Sequence, residues 1–110
     1  MEKLYIITRS DLPAGLQGAQ ALHALQAMND QQKPTIKAWK GNIAWLSARD
    51  QKHLSELMCR LQRAEFPIAT FCEPDEGGEL TALAVHGDAW KLLSSLPKAL
   101  KDCGPDLIRD

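Results

Sequence analysis

The chain has 110 residues, of which 45% are hydrophobic and 25% are charged, and its formal net charge is −1. These values are typical of one soluble globular domain, which we expect to span residues 1–110. No apolar run approaches the roughly 20 residues that a membrane-spanning helix needs. The apolar stretch near the N-terminus is too short for a secretory signal, so we expect no membrane association.

The cysteine and histidine content argues against a disulfide framework and against a zinc site. The chain has an odd number of cysteines and no CxxC pair, which favours free thiols and a cytoplasmic location. The three cysteines are Cys59, Cys72 and Cys103. The three histidines supply no closely spaced ligand pairs for zinc. We expect Cys72 to be a buried strand residue rather than a nucleophile.

Positive charge is concentrated in the first part of the chain. Residues 1–65 carry nine Lys and Arg against six Asp and Glu, whereas residues 66–110 carry four against eight. A basic surface for RNA phosphates is one interpretation, and a solvated helix face is the simpler one. The residues that would form this basic surface are Lys33, Lys37, Lys40, Arg49, Lys52, Arg60 and Arg63.

Strands and helices alternate along the chain. Short apolar runs predict strands at residues 4–8, 43–47, 68–72 and 79–85. Helical spacing and start signals predict helices at residues 14–28, 50–64 and 88–95, and a further helical piece at 35–39. The β-α-β-α-β-β-α order predicts parallel pairing with right-handed crossovers. The loop EPDEGG predicts a hairpin, so we expect an α/β fold on a mixed four-stranded sheet, with the last strand antiparallel.

The first helix has an apolar face and a polar face. Apolar or small side chains recur at helical spacing, and they are Gly18, Ala21, Leu22, Leu25 and Met28. Polar side chains lie on the other side, and they are Gln17, Gln20, His23 and Gln26. We therefore expect the first group to pack on the sheet. In the second helix, Asp50 is the expected N-cap.

Two glycines open the first helix directly after a strand. The sequence GLQG is neither GxGxxG nor a P-loop, so no nucleotide-binding fingerprint is present. Gly15 and Gly18 could allow close packing of the helix on the sheet. An anion held by the free N–H groups at the helix start is the alternative.

Two further features carry chemistry. His23 could act as an acid, a base or a hydrogen-bond donor, or serve only as a structural side chain. The segment EPDEGGE places Glu73, Asp75, Glu76 and Glu79 within seven residues. Such carboxylates suit acid–base catalysis or metal binding, and an exposed hairpin turn is commonly acidic as well.

The chain resembles the type 2 peptidyl-tRNA hydrolase family in two blocks. The first is YIITRSDL followed by GLQGAQALHA, and the second is EPDEGGELTALAVHG. The matching residues are Arg9, Asp11, Leu12, Gly15, Ala19, Gln20, His23, Ala24, Gly78, Thr81, Leu83, Ala84 and Val85. The resemblance implies a three-layer α/β/α sandwich. It also implies hydrolysis of the ester between a peptide and the 3′ ribose of tRNA, without a metal or another cofactor.

The residues that the family uses for catalysis are replaced here. The family lysine at the helix start falls on Leu16, and its aspartate falls near Thr70, Phe71 and Cys72. The family threonine falls near Glu73 or Pro74. The alternative is therefore a catalytically silent module of the same fold that binds RNA or a protein partner.

The resemblance and the local chemistry together assign the site residues. We expect the catalytic residues to be His23, Glu73 and Asp75. We expect the substrate-binding residues to be Arg9, Asp11, Gly15, Gln20 and Thr81. A pocket should form where the helix start, Gln20 and His23 meet the acidic loop. The expected partner is tRNA, and a second copy of the chain is also considered.

Overall fold

The computed structural model describes residues 3–32 and 39–100. Its elements, in chain order, are β1 (Lys3–Arg9), α1 (Ala14–Gln31), β2 (Ile43–Ala48), α2 (Gln51–Arg63), β3 (Ile68–Glu73), a 3₁₀ turn (Pro74–Glu76), β4 (Glu79–Gly87) and α3 (Trp90–Leu93). This is the predicted order. Most of the helical piece predicted at residues 35–39 lies outside the described residues, as does Cys103.

The four strands form one mixed sheet in the order β2-β1-β4-β3. Strand β1 is parallel to β2 and antiparallel to β4, and β4 is antiparallel to β3. The predicted hairpin between the last two strands and the antiparallel fourth strand are both confirmed. As a result, the carboxyl ends of β1, β2 and β3 share one edge of the sheet with the beginning of β4.

Residues after α3 extend the sheet beyond β2, which the sequence did not indicate. The Ser47 N–H donates to the Pro97 carbonyl at 2.9 Å, and the Ala99 N–H donates to the Trp45 carbonyl at 2.9 Å. Leu46 and Lys98 form an antiparallel bridge between these two bonds. This segment satisfies backbone groups that an edge strand would otherwise leave open.

Helices cover both faces of the sheet, so the predicted three-layer sandwich is confirmed. Leu4 and Ile6 of β1 pack with Ala24 and Met28 of α1 on one face. The alternate β1 side chains, Tyr5 and Ile7, pack on the other face with leucines of α2 and α3, which are Leu54, Leu57, Leu61 and Leu93. No helix in residues 3–32 and 39–100 is long and apolar enough to cross a bilayer.

Helix α2 begins as predicted. The Asp50 carboxylate accepts the His53 backbone N–H at 2.9 Å, which satisfies one of the free donors of the first turn. Arg60 and Arg63 lie in the last turn, where positive charge offsets the negative end of the helix dipole.

The predicted face of α1 is wrong in part. Leu22, expected on the sheet, is 70% exposed, whereas Gln17 and Gln20 are buried together with Ala24 and Met28. A buried amide is tolerated only where its hydrogen bonds are made. Gln20 makes two such bonds, described below, so the helix is rotated from the orientation that its apolar pattern predicts.

The prediction that Gly15 and Gly18 allow close packing of α1 on the sheet is also wrong. A Cβ atom built on Gly15 or Gly18 would meet nothing within 4 Å. The tight approach lies instead at Gly87, where φ is +118° and a Cβ would lie 3.3 Å from the Phe66 ring. The prediction of a buried Cys72 is wrong as well, because its thiol is free and exposed on the edge strand β3.

The orientation of α1 can be tested with two truncations on one helix. Met28→Ala should lower the free energy of unfolding by about 2–5 kcal/mol, because Met28 is fully buried and its loss leaves a cavity. Leu22→Ala should change it by less than about 0.5 kcal/mol. Urea denaturation of both variants measures this. A loss of several kcal/mol in Leu22→Ala would contradict the orientation.

Candidate functional site

A break in the β3–β4 register directs one side chain of β4 toward α1. Phe71 pairs with Ala82, but the next residue, Cys72, pairs with Leu80. Thr81 is therefore an extra residue on β4, as in a β-bulge. Leu80 lies in the core under α2, whereas Ala82 lies in the core under α1. The bulge turns the Thr81 side chain toward α1 as well, where it contacts Gln20.

The Gln20 amide connects β4 to the acidic loop. The fully buried Thr81 hydroxyl donates to Gln20 Oε1 at 2.7 Å. Gln20 Nε2 then donates to Glu73 Oε2 at 2.8 Å. Gln20 is only 1% exposed, so both ends of its amide need these partners. The three predicted site residues Gln20, Glu73 and Thr81 thus form one hydrogen-bonded chain.

Glu73 is held as a carboxylate at the end of β3. Its pKa is lowered, first by the hydrogen bond from Gln20 and then by the bond from the Asp75 backbone N–H to Oε1, at 3.3 Å. The charge of His23 lowers the pKa further. Asp75 itself is exposed in the 3₁₀ turn, and it contributes its amide to the cluster.

His23 lies beside this carboxylate on the exposed side of α1. Its ring stacks on Phe71, with 4.4 Å between ring centroids and 9° between the ring planes. Phe71 precedes Glu73 by two residues on β3, so the stack orients the imidazole next to the loop. The sequence gives no sign that Phe71 would stack on His23, and only the packing of α1 on β3 shows this contact.

Arg9 anchors the start of the loop between β1 and α1. Its guanidinium makes a two-pronged contact with Asp11 at 2.8 and 3.0 Å, and it also donates to Glu79 at 3.1 Å and to the Leu80 carbonyl at 3.2 Å. The pKa of Asp11 is lowered chiefly by its hydrogen bond with Arg9. Arg9 and Asp11 are therefore paired with each other, and they tie this loop to the beginning of β4.

The remaining predicted residue, Gly15, is exposed in the first turn of α1. Leu16 follows it, in the place where the resembling family has a lysine. Because Pro13 precedes the helix and provides no side-chain cap, the first N–H groups of α1 have no partner from a capping side chain. Those groups can bind a negatively charged oxygen.

A cleft of about 680 Å³ opens at the carboxyl ends of β1 and β2, rather than beside Gln20 and His23. Its lining includes Ser10, Gln17, Arg49, His53 and Lys98, and it includes none of the eight predicted site residues. Among the seven residues of the predicted basic surface, Lys33 and Lys37 lie outside the described residues. The others are exposed, and of them Arg49 lines this cleft.

Comparison with known proteins establishes the fold. No family model matches the chain, and no curated protein matches it. The structure is similar to that of Atu0240, a protein of unknown function from Agrobacterium tumefaciens strain C58, with a TM-score of 0.69 and 12% sequence identity. The match covers 88% of this chain and 96% of that chain. At this identity the likeness shows a shared fold alone.

The hydrogen bond from Gln20 can be tested through the titration of Glu73. Gln20→Leu removes the largest cause of the lowered pKa, so the pKa of Glu73 should rise toward the ordinary value of a glutamate. Gln26→Leu, at an exposed position of the same helix, is the matched control and should leave it unchanged. Side-chain carboxyl chemical shifts followed by NMR between pH 2 and 7 give the values. An unchanged pKa in Gln20→Leu would contradict the contact.

Proposed function

We propose that this protein is an ester hydrolase of the peptidyl-tRNA hydrolase type. The observation that carries the proposal is the ionised Glu73 carboxylate, oriented by the Gln20 amide and next to His23. Gln20 and His23 are among the residues that match the resembling family, and Glu73 was selected from the chemistry of the acidic loop. All three lie close together in the structure. Ester hydrolysis needs a base for water and a donor for the developing oxyanion.

In this proposal Glu73 accepts a proton from a water molecule, and the resulting hydroxide attacks the ester carbonyl carbon. His23 or the free N–H groups at the start of α1 donate hydrogen bonds to the oxyanion. The tetrahedral intermediate then collapses, and the bond to the 3′ oxygen of the ribose breaks. The proton on Glu73 passes to that oxygen, which restores the carboxylate and releases peptide and tRNA.

We expect this hydrolysis to be slow. A carboxylate with a lowered pKa is a weaker base. Leu16 also removes the positive charge that the resembling family has at the helix start. Loss of one good oxyanion donor typically reduces the rate by about 100- to 1,000-fold.

A catalytically silent RNA-binding module is the second candidate, and one observation favours it. The cleft that Arg49 and Lys98 line lies away from His23 and Glu73. Positive side chains beside a cleft suit phosphate groups. In this second proposal the Gln20 chain serves only to hold the loop in place.

Release of a labelled N-acyl amino acid from tRNA tests the enzyme proposal. The wild type should be weakly active, Glu73→Gln should be inactive, and His23→Ala should be reduced. Asp75→Asn should retain more activity than Glu73→Gln, because the Asp75 side chain is exposed. Leu16→Lys should raise the rate. Glu56→Gln, an exposed carboxylate on α2, is the control and should match the wild type.

Two outcomes would contradict the enzyme proposal. One is a wild type that is indistinguishable from buffer together with no gain in Leu16→Lys. The other is full activity in both Glu73→Gln and His23→Ala. If the first outcome is accompanied by tRNA binding that weakens with salt, with a log–log slope of about −0.9 per duplex phosphate contacted, the binding module is supported. Without such binding at low salt, both proposals fail.

A further inference from the structure

The cleft has the size and position of a small-molecule site. Its volume of about 680 Å³ is within the range of roughly 300–1,000 Å³ found for ligand pockets. It lies where the parallel strands β1 and β2 end, between the first turns of α1 and α2. Ligands commonly bind at this edge of α/β sheets. Residues of the segment from Ser95 to Leu100 complete its lining.

His53 provides a neutral hydrogen-bond donor to this cleft. The Arg49 backbone N–H donates to His53 Nδ1 at 3.0 Å, so the ring proton lies on Nε2. Burial, followed by the charge of Arg49, lowers the pKa of His53. The ring therefore remains neutral at pH 7. Nδ1 already accepts the Arg49 N–H, so Nε2–H is the ring group that can donate to a ligand.

The charged side chains in the lining are all positive. Arg49 and Lys98 line the cleft, and its described lining contains no Asp or Glu. Within residues 3–32 and 39–100, neither side chain forms an ion pair. The nearby Asp50 carboxylate is occupied by the His53 backbone N–H. An anionic group in the cleft would thus meet positive charge without a competing carboxylate in the lining.

Gln17 adds an independent indication of a ligand. It lines the cleft and is only 5% exposed. Its Nε2 donates to the Leu12 carbonyl at 2.7 Å, which fixes the orientation of the amide. Its Oε1 has no hydrogen-bond partner among the described residues. A buried acceptor left unsatisfied is costly, and a hydroxyl group of a ligand would relieve that cost.

We propose that the cleft binds a small organic phosphate that carries free hydroxyl groups, such as a sugar phosphate. The phosphate contacts Arg49, Lys98 and His53 Nε2. Gln17 Oε1 is shielded from solvent in the free protein, so a small shift of the Gln17 side chain accompanies the hydrogen bond that a ligand hydroxyl donates to it. The proposal does not depend on ester hydrolysis, because His23 and Glu73 do not line this cleft. Either proposal can therefore fail without the other.

Titration of the whole chain with ribose 5-phosphate, inorganic phosphate and neutral ribose, followed by amide NMR shifts, tests the proposal. Ribose 5-phosphate should shift amides along the cleft and bind more tightly than inorganic phosphate, and ribose should bind weakly. Arg49→Gln and Lys98→Gln should each weaken ribose 5-phosphate by about tenfold, the size expected for a charge-assisted hydrogen bond. Arg63→Gln, at the other end of α2, is the control and should bind as the wild type does.

Gln17→Met tests the hydroxyl contact through the ratio of the affinities for ribose 5-phosphate and inorganic phosphate. A general loss of stability would not change this ratio. The variant should bring the affinity for ribose 5-phosphate down toward that for inorganic phosphate. Three results would overturn the proposal. They are no cleft shifts at millimolar ligand, equal weakening in Arg63→Gln, and an unchanged ligand ratio in Gln17→Met.

Discussion

The hydrogen bonds at the two ends of the Gln20 side chain are the interaction on which the candidate site depends. An amide that is 1% exposed must find a donor for its oxygen and an acceptor for its nitrogen. The Thr81 hydroxyl is the donor, and the Glu73 carboxylate is the acceptor. These bonds constrain three elements: α1 must turn Gln20 inward, β4 must turn Thr81 toward it, and β3 must end with Glu73 within reach.

The β4 bulge turns the Thr81 hydroxyl toward Gln20. In a regular strand, Thr81 would alternate with Ala82 and face the α2 side of the sheet. The extra residue places both side chains on the α1 side. Glu73, at the end of β3, is then within reach of the amide, and the Phe71 ring positions His23 beside it. The position of the loop carboxylate therefore follows from one irregularity in the β3–β4 ladder.

The strand pattern could be predicted from sequence, whereas the fine orientation of α1 could not. Buried strands and the EPDEGG turn have local signals, so the sheet and its hairpin were predictable. The prediction of the buried face of α1 was wrong in part, because the spacing of apolar residues assigns Leu22 to the core and Gln20 to the surface. Only the tertiary partner Thr81 reverses that preference, and a bulge leaves no clear mark in a sequence. The amide of Gln17 was assigned to the polar face for the same reason.

The cleft could not be predicted from the sequence either, because its lining comes from separate segments of the chain. Arg49 and His53 follow β2, Gln17 belongs to α1, and Lys98 lies on the segment that pairs with β2. Only the pairing of residues 97–99 with the sheet edge brings Lys98 near Arg49. The hydrogen bond from the Arg49 N–H to His53 Nδ1 was partly predictable, because Arg49 and His53 lie on either side of Asp50, the predicted N-cap of α2.

A double-mutant cycle between Gln20→Leu and Thr81→Val tests the central contact most directly. Urea unfolding of the wild type, both single variants and the double variant gives the coupling energy. If the Thr81 hydroxyl donates to Gln20 across the bulge, the two losses should be non-additive by about 0.5–3 kcal/mol. Losses that add to within about 0.3 kcal/mol would contradict the contact, and with it the arrangement of the site.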